Sequence, residues 1–259
     1  MVPCPHPVGR RGELKMIYTV KRGQVTFGQA IGIIMMDTFM PFPPGTPGNA
    51  TTFSYPVLYE TVRGCDMEHL VYDGDQALLE PMLEAGWRLV KAGVRAVTGN
   101  CGFMILFQEA LARELPVPVF MSSLLQLPFV SRLLKPHEKV GIISASKQSL
   151  SPEHLRIALG GAEADYVVAG MEDQPAFHAA IHAEVGELDF ERVESEVVTV
   201  AQSLVEENPD VRALLFECTD LPPYAAATQE ATGLPVFDYS TLIDYVFSAV
   251  VRTRFEGYM

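Results

Sequence analysis

The stretch CGFMILFQEALARELPVPVF, residues 101–120, has a counterpart later in the chain, CTDLPPYAAATQEATGLPVF, residues 218–237. In both, the cysteine follows an apolar, strand-like run and a helical stretch comes next. A Pro-Val-Phe run then begins at the same distance from each cysteine. The repeat indicates two related halves in which Cys101 and Cys218 occupy equivalent positions.

The rest of the chain supports this division. IGII at 31–34 and VGII at 140–143 are glycine-containing strands that open the two halves, and strand-like and helix-like runs alternate after each of them. Such alternation is typical of a parallel sheet covered on both faces. We therefore predict an α/β fold of two pseudo-symmetric, doubly wound parallel-sheet lobes, with the active site in the cleft between them.

The predicted organisation has three parts: an N-terminal appendage over 1–30, a first lobe over 31–138 that carries Cys101, and a second lobe over 139–259 that carries Cys218. We expect a hairpin within the appendage, whose apolar residues suggest a homodimer contact. The terminal helix is a candidate to pack back on the first lobe. The Pro/Gly-rich loop over 38–56 contains four aromatic residues and is interpreted as a lid rather than as disorder.

Composition excludes several classes of partner. The net charge of −13 and a pI near 4.9 argue against binding to nucleic acid or to an anionic membrane surface. No apolar run approaches the roughly 18 residues of a membrane span, and the start of the sequence has no apolar signal region. We expect a cytoplasmic protein. The four cysteines form no C-x-x-C pair, which favours free thiols.

Both repeat cysteines lie at the carboxyl ends of predicted strands, where open parallel sheets bind ligands. If the halves face each other, one thiol removes a proton from a carbon and the other returns a proton to the opposite side. A helix N-terminus is expected to lower the thiol pKa toward neutrality. Its N–H groups, with Thr98, Asn100 and Thr219, are expected to bind a substrate carboxylate.

The cysteines and the histidine pair also have alternative interpretations. A single cysteine at a strand end is commonly a small buried apolar residue, but two at matched repeat positions favour catalysis. Cys4 and Cys65 have no counterpart in the repeat. His178 and His182 have the i, i+4 spacing of metal ligands without a third ligand in register. We predict neither a metal nor an organic cofactor.

The segments IGIIMMDT, PFPPGTPGN, TGNCGFMILFQ and LLFECTDLPPY resemble the aspartate/glutamate racemase superfamily, and the resemblance extends from Ile31 to the C-terminus. Members have two similar α/β domains with one cysteine from each at the interdomain cleft. The resemblance implies that Cys101 in GNCG and Cys218 in ECTD are catalytic and need no cofactor. Gly102, which follows Cys101 in GNCG, is also predicted to bind substrate.

The resemblance also implies roles for neighbouring residues. Asp37 and Thr38 match the acidic and hydroxyl pair that glutamate-type racemases place beside the first cysteine. Asn100 and Thr219 match polar neighbours that contact the substrate carboxylate. The sequence departs from those racemases at Asp220, where a histidine closely follows their second cysteine, and this weakens the assignment of amino-acid racemization.

NCGFMILFQ followed by PVFMSSLLQLP is also similar to the algal dimethylsulfoniopropionate lyases of the same superfamily. These enzymes remove a proton next to a carboxylate with a cysteine and expel dimethyl sulfide from the neighbouring carbon. A sulfonium cation favours an acidic or aromatic wall, which Asp37, Tyr55, Glu217 and Asp220 could supply.

Two candidates keep alternative interpretations. Glu217 either orients the adjacent thiol and contacts substrate or is a solvated charge at a strand end. Ser123 either contacts substrate or belongs to the cap of the next helix. The leading hypothesis is a cofactor-independent racemase or epimerase that acts on a small, amino-acid-like carboxylate. The alternatives are a dimethylsulfoniopropionate-type lyase and a non-catalytic protein that binds a small acid.

Overall fold

The computed structural model describes residues 17–259, which form two four-stranded parallel sheets. The first sheet contains strands β1 (Ile31–Met35), β2 (Val57–Thr61), β3 (Ala96–Gly99) and β4 (Val119–Phe120). The second contains β5 (Lys139–Ser144), β6 (Tyr166–Gly170), β7 (Val211–Phe216) and β8 (Val236–Phe237). Their orders, β2-β1-β3-β4 and β6-β5-β7-β8, are the same.

Helices cover these sheets. Within the described residues the α-helices are α1 (Leu79–Ala92), α2 (Gln108–Glu114), α3 (Leu127–Ser131), α4 (Pro152–Leu159), α5 (Pro175–Phe177), α6 (Phe190–Glu207), α7 (Ala225–Thr232) and α8 (Tyr239–Val250). Shorter 3-10 segments cover Ala50–Thr52, Gln76–Leu78, Gly102–Phe107, Ser123–Gln126 and Pro222–Tyr224, and π-helical turns cover Met67–Tyr72 and His178–His182. The predicted fold of two α/β parallel-sheet lobes is confirmed.

Equivalent glycines explain why each half opens on a Gly-Ile-Ile strand. A Cβ atom on Gly32 would lie 3.0 Å from the Leu89 side chain of α1, and a Cβ atom on Gly141 would lie 2.9 Å from the Leu204 side chain of α6. Because glycine has no side chain, the long helix of each half can pack directly on its central strand. These helices bury apolar stripes, which in α1 are Met82, Ala85, Gly86 and Leu89 and in α6 are Val193, Val197, Val200, Ala201 and Leu204.

The last helical segment of each half packs on the sheet of the other half. Tyr239 and Ile243 of α8 share a buried cluster with Ile31, Ile33 and Ala96 of the first sheet. The segment Ser123–Gln126 and α3 contact β7 and β5 in the second sheet. The two halves therefore complete each other's cores, and the predicted lobe boundaries stay a prediction.

The loop over 38–56 takes the place that α4 occupies in the second half, since it connects β1 to β2 as α4 connects β5 to β6. It packs on the protein: Thr46 is buried, the Tyr59 hydroxyl donates to the Pro47 carbonyl at 3.0 Å, and the Ser240 hydroxyl donates to the Gly45 carbonyl. These contacts agree with a docked lid.

The appendage differs from its prediction. Residues 17–29 contain a turn, in which the Gln24 N–H donates to the Lys21 carbonyl at 3.1 Å, but no strand, so the predicted hairpin is wrong over the described part. Residues 1–16, which include Cys4, lie outside the described residues. Ile17, Val25 and Phe27 are exposed, and the homodimer contact stays a prediction.

Among the helices of residues 17–259, none combines the length and the apolar character needed to cross a membrane.

Gly45 links the loop to the second half and gives a test of docking. It has φ +109°, and a Cβ atom there would lie 2.9 Å from the backbone Cα of Pro223. Gly161 has φ +87° with nothing within 4 Å of its Cβ position. We expect G161A to cost about 1 kcal/mol of unfolding free energy from backbone strain alone. G45A adds a clash with backbone, so it should cost more and should also speed protease cleavage within 38–56. Equal cleavage rates in the two variants would contradict a docked loop.

Candidate active site

A narrow cleft with about 380 Å³ of empty space, part of it open to solvent, lies between the two halves. Its walls come from the carboxyl ends of the central strands: Thr38 follows β1, Cys101 follows β3, Ala145 follows β5 and Cys218 follows β7. Strand ends of parallel sheets are the usual place for a ligand in this fold class. The repeat has therefore placed equivalent loops around one cavity.

Both cysteines line this cavity as free thiols. Cys101 has extended backbone (φ −149°) and precedes the 3-10 segment Gly102–Phe107, and the Phe103 N–H donates to its sulfur. Cys218 is buried, and the Asp220 N–H donates to its sulfur at 3.4 Å. The two sulfurs are close enough to interact electrostatically. Both thiols thus lie at one cavity, and their catalytic roles stay a prediction.

The thiol pKa values depart from the sequence-based expectation. Burial raises the pKa of Cys101 well above its ordinary value, and the negative charge of Glu217 raises it further. Burial and then Asp220 have the same effect on the pKa of Cys218. The expected lowering by a helix N-terminus is wrong, because one N–H bond to each sulfur does not offset desolvation beside buried carboxyl groups. In the empty cleft both thiols are protonated.

Glu217 is a fully buried carboxyl group in the wall of the cleft. Its Oε2 accepts hydrogen bonds from the Ser144 hydroxyl at 2.8 Å and from the Ala145 N–H at 3.3 Å. Its Oε1 is buried without a hydrogen-bond partner. Burial raises the pKa of Glu217 to about 7. Glu217 is therefore not a solvated strand-end charge.

Gly102 makes room for this carboxyl group. A Cβ atom on Gly102 would lie 1.9 Å from the Glu217 Oε1 and 2.4 Å from the Glu217 carbonyl oxygen. Any larger residue after Cys101 would displace the carboxyl group, so glycine at this position is a steric requirement.

Asp220 occupies the position at which the resemblance implied a histidine in glutamate-type racemases. The Cys218 thiol donates to its Oδ2 at 3.6 Å, and its Oδ1 is buried without a partner. Burial raises the pKa of Asp220 from 3.8 to about 7. A carboxylate in this position can accept the proton of the Cys218 thiol.

Three more predicted residues lie in the cavity wall. Thr38 has a buried hydroxyl without a hydrogen-bond partner. The Asn100 Oδ1 accepts the Met36 N–H at 2.7 Å, and the Thr219 hydroxyl donates to the Asn100 carbonyl. Asn100 and Thr219 thus hold the two strand ends together, while the Thr38 hydroxyl is free for a ligand.

Two of the remaining predicted residues support the site from behind instead of lining it. The Thr98 hydroxyl donates to the Phe120 carbonyl at 2.5 Å, deep in the first sheet. The Ser123 hydroxyl donates to the Phe216 carbonyl at 2.7 Å and links the two halves. Their hydroxyls serve backbone carbonyls, which corrects their assignment to substrate binding.

Asp37 and Tyr55 also lie outside the lining. Asp37 is exposed, and its N–H donates to the Cys65 carbonyl at 2.8 Å. The Tyr55 hydroxyl donates to Asp244 at 2.6 Å, and its ring stacks on Phe247 of α8 with centroids 3.4 Å apart. The structure therefore corrects both assignments: the Tyr55 ring is part of the contact between the loop and α8.

Sequence reasoning missed the apolar wall of the cleft, formed by Met36, Met40, Phe42, Met67, Val71, Phe103, Ala145 and Ile181. Three of these residues lie on the two π-helical turns, which occupy corresponding positions in the two halves. A π-turn leaves no periodic signal in a sequence, so only the repeat itself could have suggested them. Within residues 17–259, no Lys, Arg or His lines the cleft.

His178 and His182 make contacts with other side chains and with backbone. The two ring nitrogens of His182 lie 2.9 Å from the Ala145 carbonyl and 2.8 Å from the Tyr72 hydroxyl. The His178 ring stacks on that of His182. This pair joins the two halves beside the cleft.

The structure describes a two-lobed α/β protein with one cysteine from each half at a shared cleft. Sequence comparison identifies the family to which such a protein belongs. Residues 47–242 match the family model described as Asp/Glu/Hydantoin racemase, and the chain belongs to this family. It is 32% identical to a dimethylsulfoniopropionate lyase of Durusdinium sp. clade D, over 86% of this chain and 75% of the relative. It is 34% identical to dimethylsulfoniopropionate lyase 3 of Emiliania huxleyi, over 86% of this chain but only 60% of that longer relative.

Solved structures agree on the fold. An aspartate racemase homologue from Pyrococcus horikoshii superposes with a TM-score of 0.56 over 86% of this chain and 99% of the homologue, at 17% sequence identity. The family members include both racemases and lyases, so the family establishes the two-lobed fold and an enzyme class without selecting the reaction.

Asp220 makes stability depend on pH. Its pKa is raised by burial from 3.8 to about 7, so the folded state keeps a proton that the unfolded state has released. The stabilisation is complete below pH 3.8 and is lost as pH rises through about 7. We expect D220N to show a smaller fall in unfolding free energy between these pH values, measured by denaturant titration. The exposed Asp173→Asn change is the control, and an unchanged slope in D220N would contradict burial of the carboxyl group.

Proposed function

We propose that this protein is a lyase that cleaves a small sulfonium carboxylate of the dimethylsulfoniopropionate type. The observation that carries the proposal is the acidic two-thiol cleft, whose lining combines Cys101, Cys218, Glu217 and Asp220 and, among residues 17–259, contains no basic side chain. The identity to curated dimethylsulfoniopropionate lyases supports the same substrate class.

The reaction follows from the groups in the cleft. A cysteine thiolate takes a proton from the carbon next to the substrate carboxylate, and the C–H electron pair forms a double bond to the neighbouring carbon. The bond from that carbon to sulfur breaks, and dimethyl sulfide leaves with the bonding electrons. The products are acrylate, dimethyl sulfide and a protonated thiol, which returns its proton to solvent. Atoms and charges balance without a co-reactant.

The charge of the cleft favours a cationic substrate over a dianion. Burial and then the neighbouring carboxyl groups raise the pKa of both thiols, so an anionic ligand would suppress thiolate formation further. A sulfonium cation has the opposite effect, because it stabilises each negative charge that forms near it. Binding of the substrate would thus help to generate the base that attacks it.

Two sets of cleft residues can orient the substrate, one at its carboxylate and one at its sulfonium group. The Thr38 hydroxyl, which has no partner in the protein, can donate to the substrate carboxylate. The rings of Phe42 and Phe103 and the sulfur atoms of Met36, Met40 and Met67 offer polarizable surface to the sulfonium methyl groups. Asp220 can accept the Cys218 proton across their 3.6 Å contact.

Headspace detection of dimethyl sulfide from dimethylsulfoniopropionate tests the lyase. We expect turnover by the wild type and a loss of about 10²-fold or more in whichever of C101S and C218S removes the thiolate that takes the substrate proton. C65A is the matched control, since Cys65 is a buried thiol outside the cleft lining. No dimethyl sulfide from the wild type would refute the proposal, and unchanged turnover in both serine variants would refute the role of the thiols.

Racemization is the second candidate, and the equivalent placement of two thiols on one cavity favours it. Incubation with L-amino acids in D₂O should then give α-deuterated product of both hands. Exchange must disappear in C101S and in C218S, because a racemase needs an acid and a base on opposite faces. No deuterium incorporation across the amino-acid panel would exclude this activity for those substrates.

A further inference from the structure

The Glu217 Oε1 is a buried carboxyl oxygen without a hydrogen-bond partner among the described residues. Its side chain is fully buried, and the other oxygen is fixed by Ser144 and Ala145. The unpartnered oxygen lies against Gly102, where a side chain would otherwise stand, in the cleft wall next to Cys101. Leaving a buried carboxyl oxygen unsatisfied is costly, so a group that pairs with it is expected in the functional state.

We propose that Glu217 is a specificity residue: its free oxygen binds the positive charge of the substrate and selects small carboxylates that carry an onium group. This deepens the proposed function and rests on it only for the location of the substrate. The Glu217 charge acts on both cleft thiols, so an onium group that pairs with Oε1 also stabilises the negative charge of a thiolate at either position. The Thr38 hydroxyl lines the same cavity and is the candidate donor to the carboxylate of the ligand.

Among residues 17–259, no cationic side chain is found to act on Glu217. The ionisable groups that act on Glu217, or on which it acts, are Asp220, the two cleft thiols and the Tyr239 phenol. All four are neutral or negative, so no side chain among them can neutralise the Glu217 carboxylate. A bound cation would supply the missing charge, and the ionised form of Glu217 would follow from binding.

A purely structural role is the competing explanation. Glu217 could serve only to hold the Ser144 and Ala145 backbone, as the Glu172 carboxylate holds the N–H groups of Lys147 and Gln148 at 3.1 and 3.2 Å. A glutamine at position 217 can keep the oxygen that faces Ser144 and Ala145 while it places an amide N–H₂ where the free oxygen was. E217Q therefore separates charge recognition from backbone support.

The test uses two ligands of the same shape that cannot undergo elimination. Dimethylsulfonioacetate carries its sulfonium on the carbon next to the carboxylate, and 3-methylbutanoate replaces that sulfur with a neutral carbon. Calorimetric titration should show the wild type preferring the sulfonium ligand by about tenfold or more, as for a charge-assisted contact. E217Q should bind both ligands within about twofold of each other. E172Q, which removes the same charge from a residue outside the cleft lining, should keep the wild-type preference.

Two outcomes overturn the proposal: no preference in the wild type, or a full preference retained in E217Q. If E217Q does not fold, proton release by the wild type decides. Burial raises the pKa of Glu217 to about 7, so at a pH about one unit lower the sulfonium ligand should displace a proton while 3-methylbutanoate does not. D220N must retain this release if Glu217 is its source, and equal proton exchange with both ligands refutes the assignment.

These titrations fail independently of the lyase assay. A sulfonium preference that depends on Glu217, without any dimethyl sulfide production, would refute the reaction and leave the ligand class in place. Dimethyl sulfide production without such a preference would support the reaction and refute the role of Glu217 in selecting the ligand.

Discussion

The contact between the two inner strand ends is the constraint on which the site depends. The Glu217 carboxyl group lies where a side chain of residue 102 would be, the Thr219 hydroxyl donates to the Asn100 carbonyl, and the Ser123 hydroxyl donates to the Phe216 carbonyl. These bonds cross from one half of the chain to the other beside the cysteines. They hold two thiols from distant parts of the sequence on one cavity.

The chemistry of the cavity follows from what this contact buries. Carboxyl groups held away from solvent become weak acids, and thiols beside them become weaker acids still. The cleft therefore disfavours a thiolate. Under the proposed function a positively charged ligand offsets this effect, so selectivity and activation have the same physical origin.

Much of the fold could be read from the sequence because the repeat and the strand–helix alternation are local signals. The Gly-Ile-Ile strands, the equivalent cysteines and the shared cleft followed from them. The sequence also suggested that the terminal helix α8 packs on the first lobe. It did not suggest that Ser123–Gln126 and α3 pack on the second sheet, because an apolar stripe shows that a face is buried but not which sheet covers it. The raised thiol pKa values also escaped prediction: they depend on Glu217 and Asp220 being desolvated, a property of packing. Asp37 and Tyr55 were predicted to bind substrate from their positions along the chain. In the folded protein both lie outside the cleft lining.

The packing of the terminal helix on the first sheet has a consequence for how the chain folds during synthesis on the ribosome. Ile31, Ile33 and Ala96 form part of one face of the first sheet, and Tyr239 and Ile243 cover that face only after the residues up to 243 have been made. The first half therefore emerges with an incomplete core, which is completed only when α8 has been synthesised. The order of synthesis and cooperative folding are thus linked in this protein. A product that terminates before α8 would leave the apolar face of the first sheet exposed to chaperones.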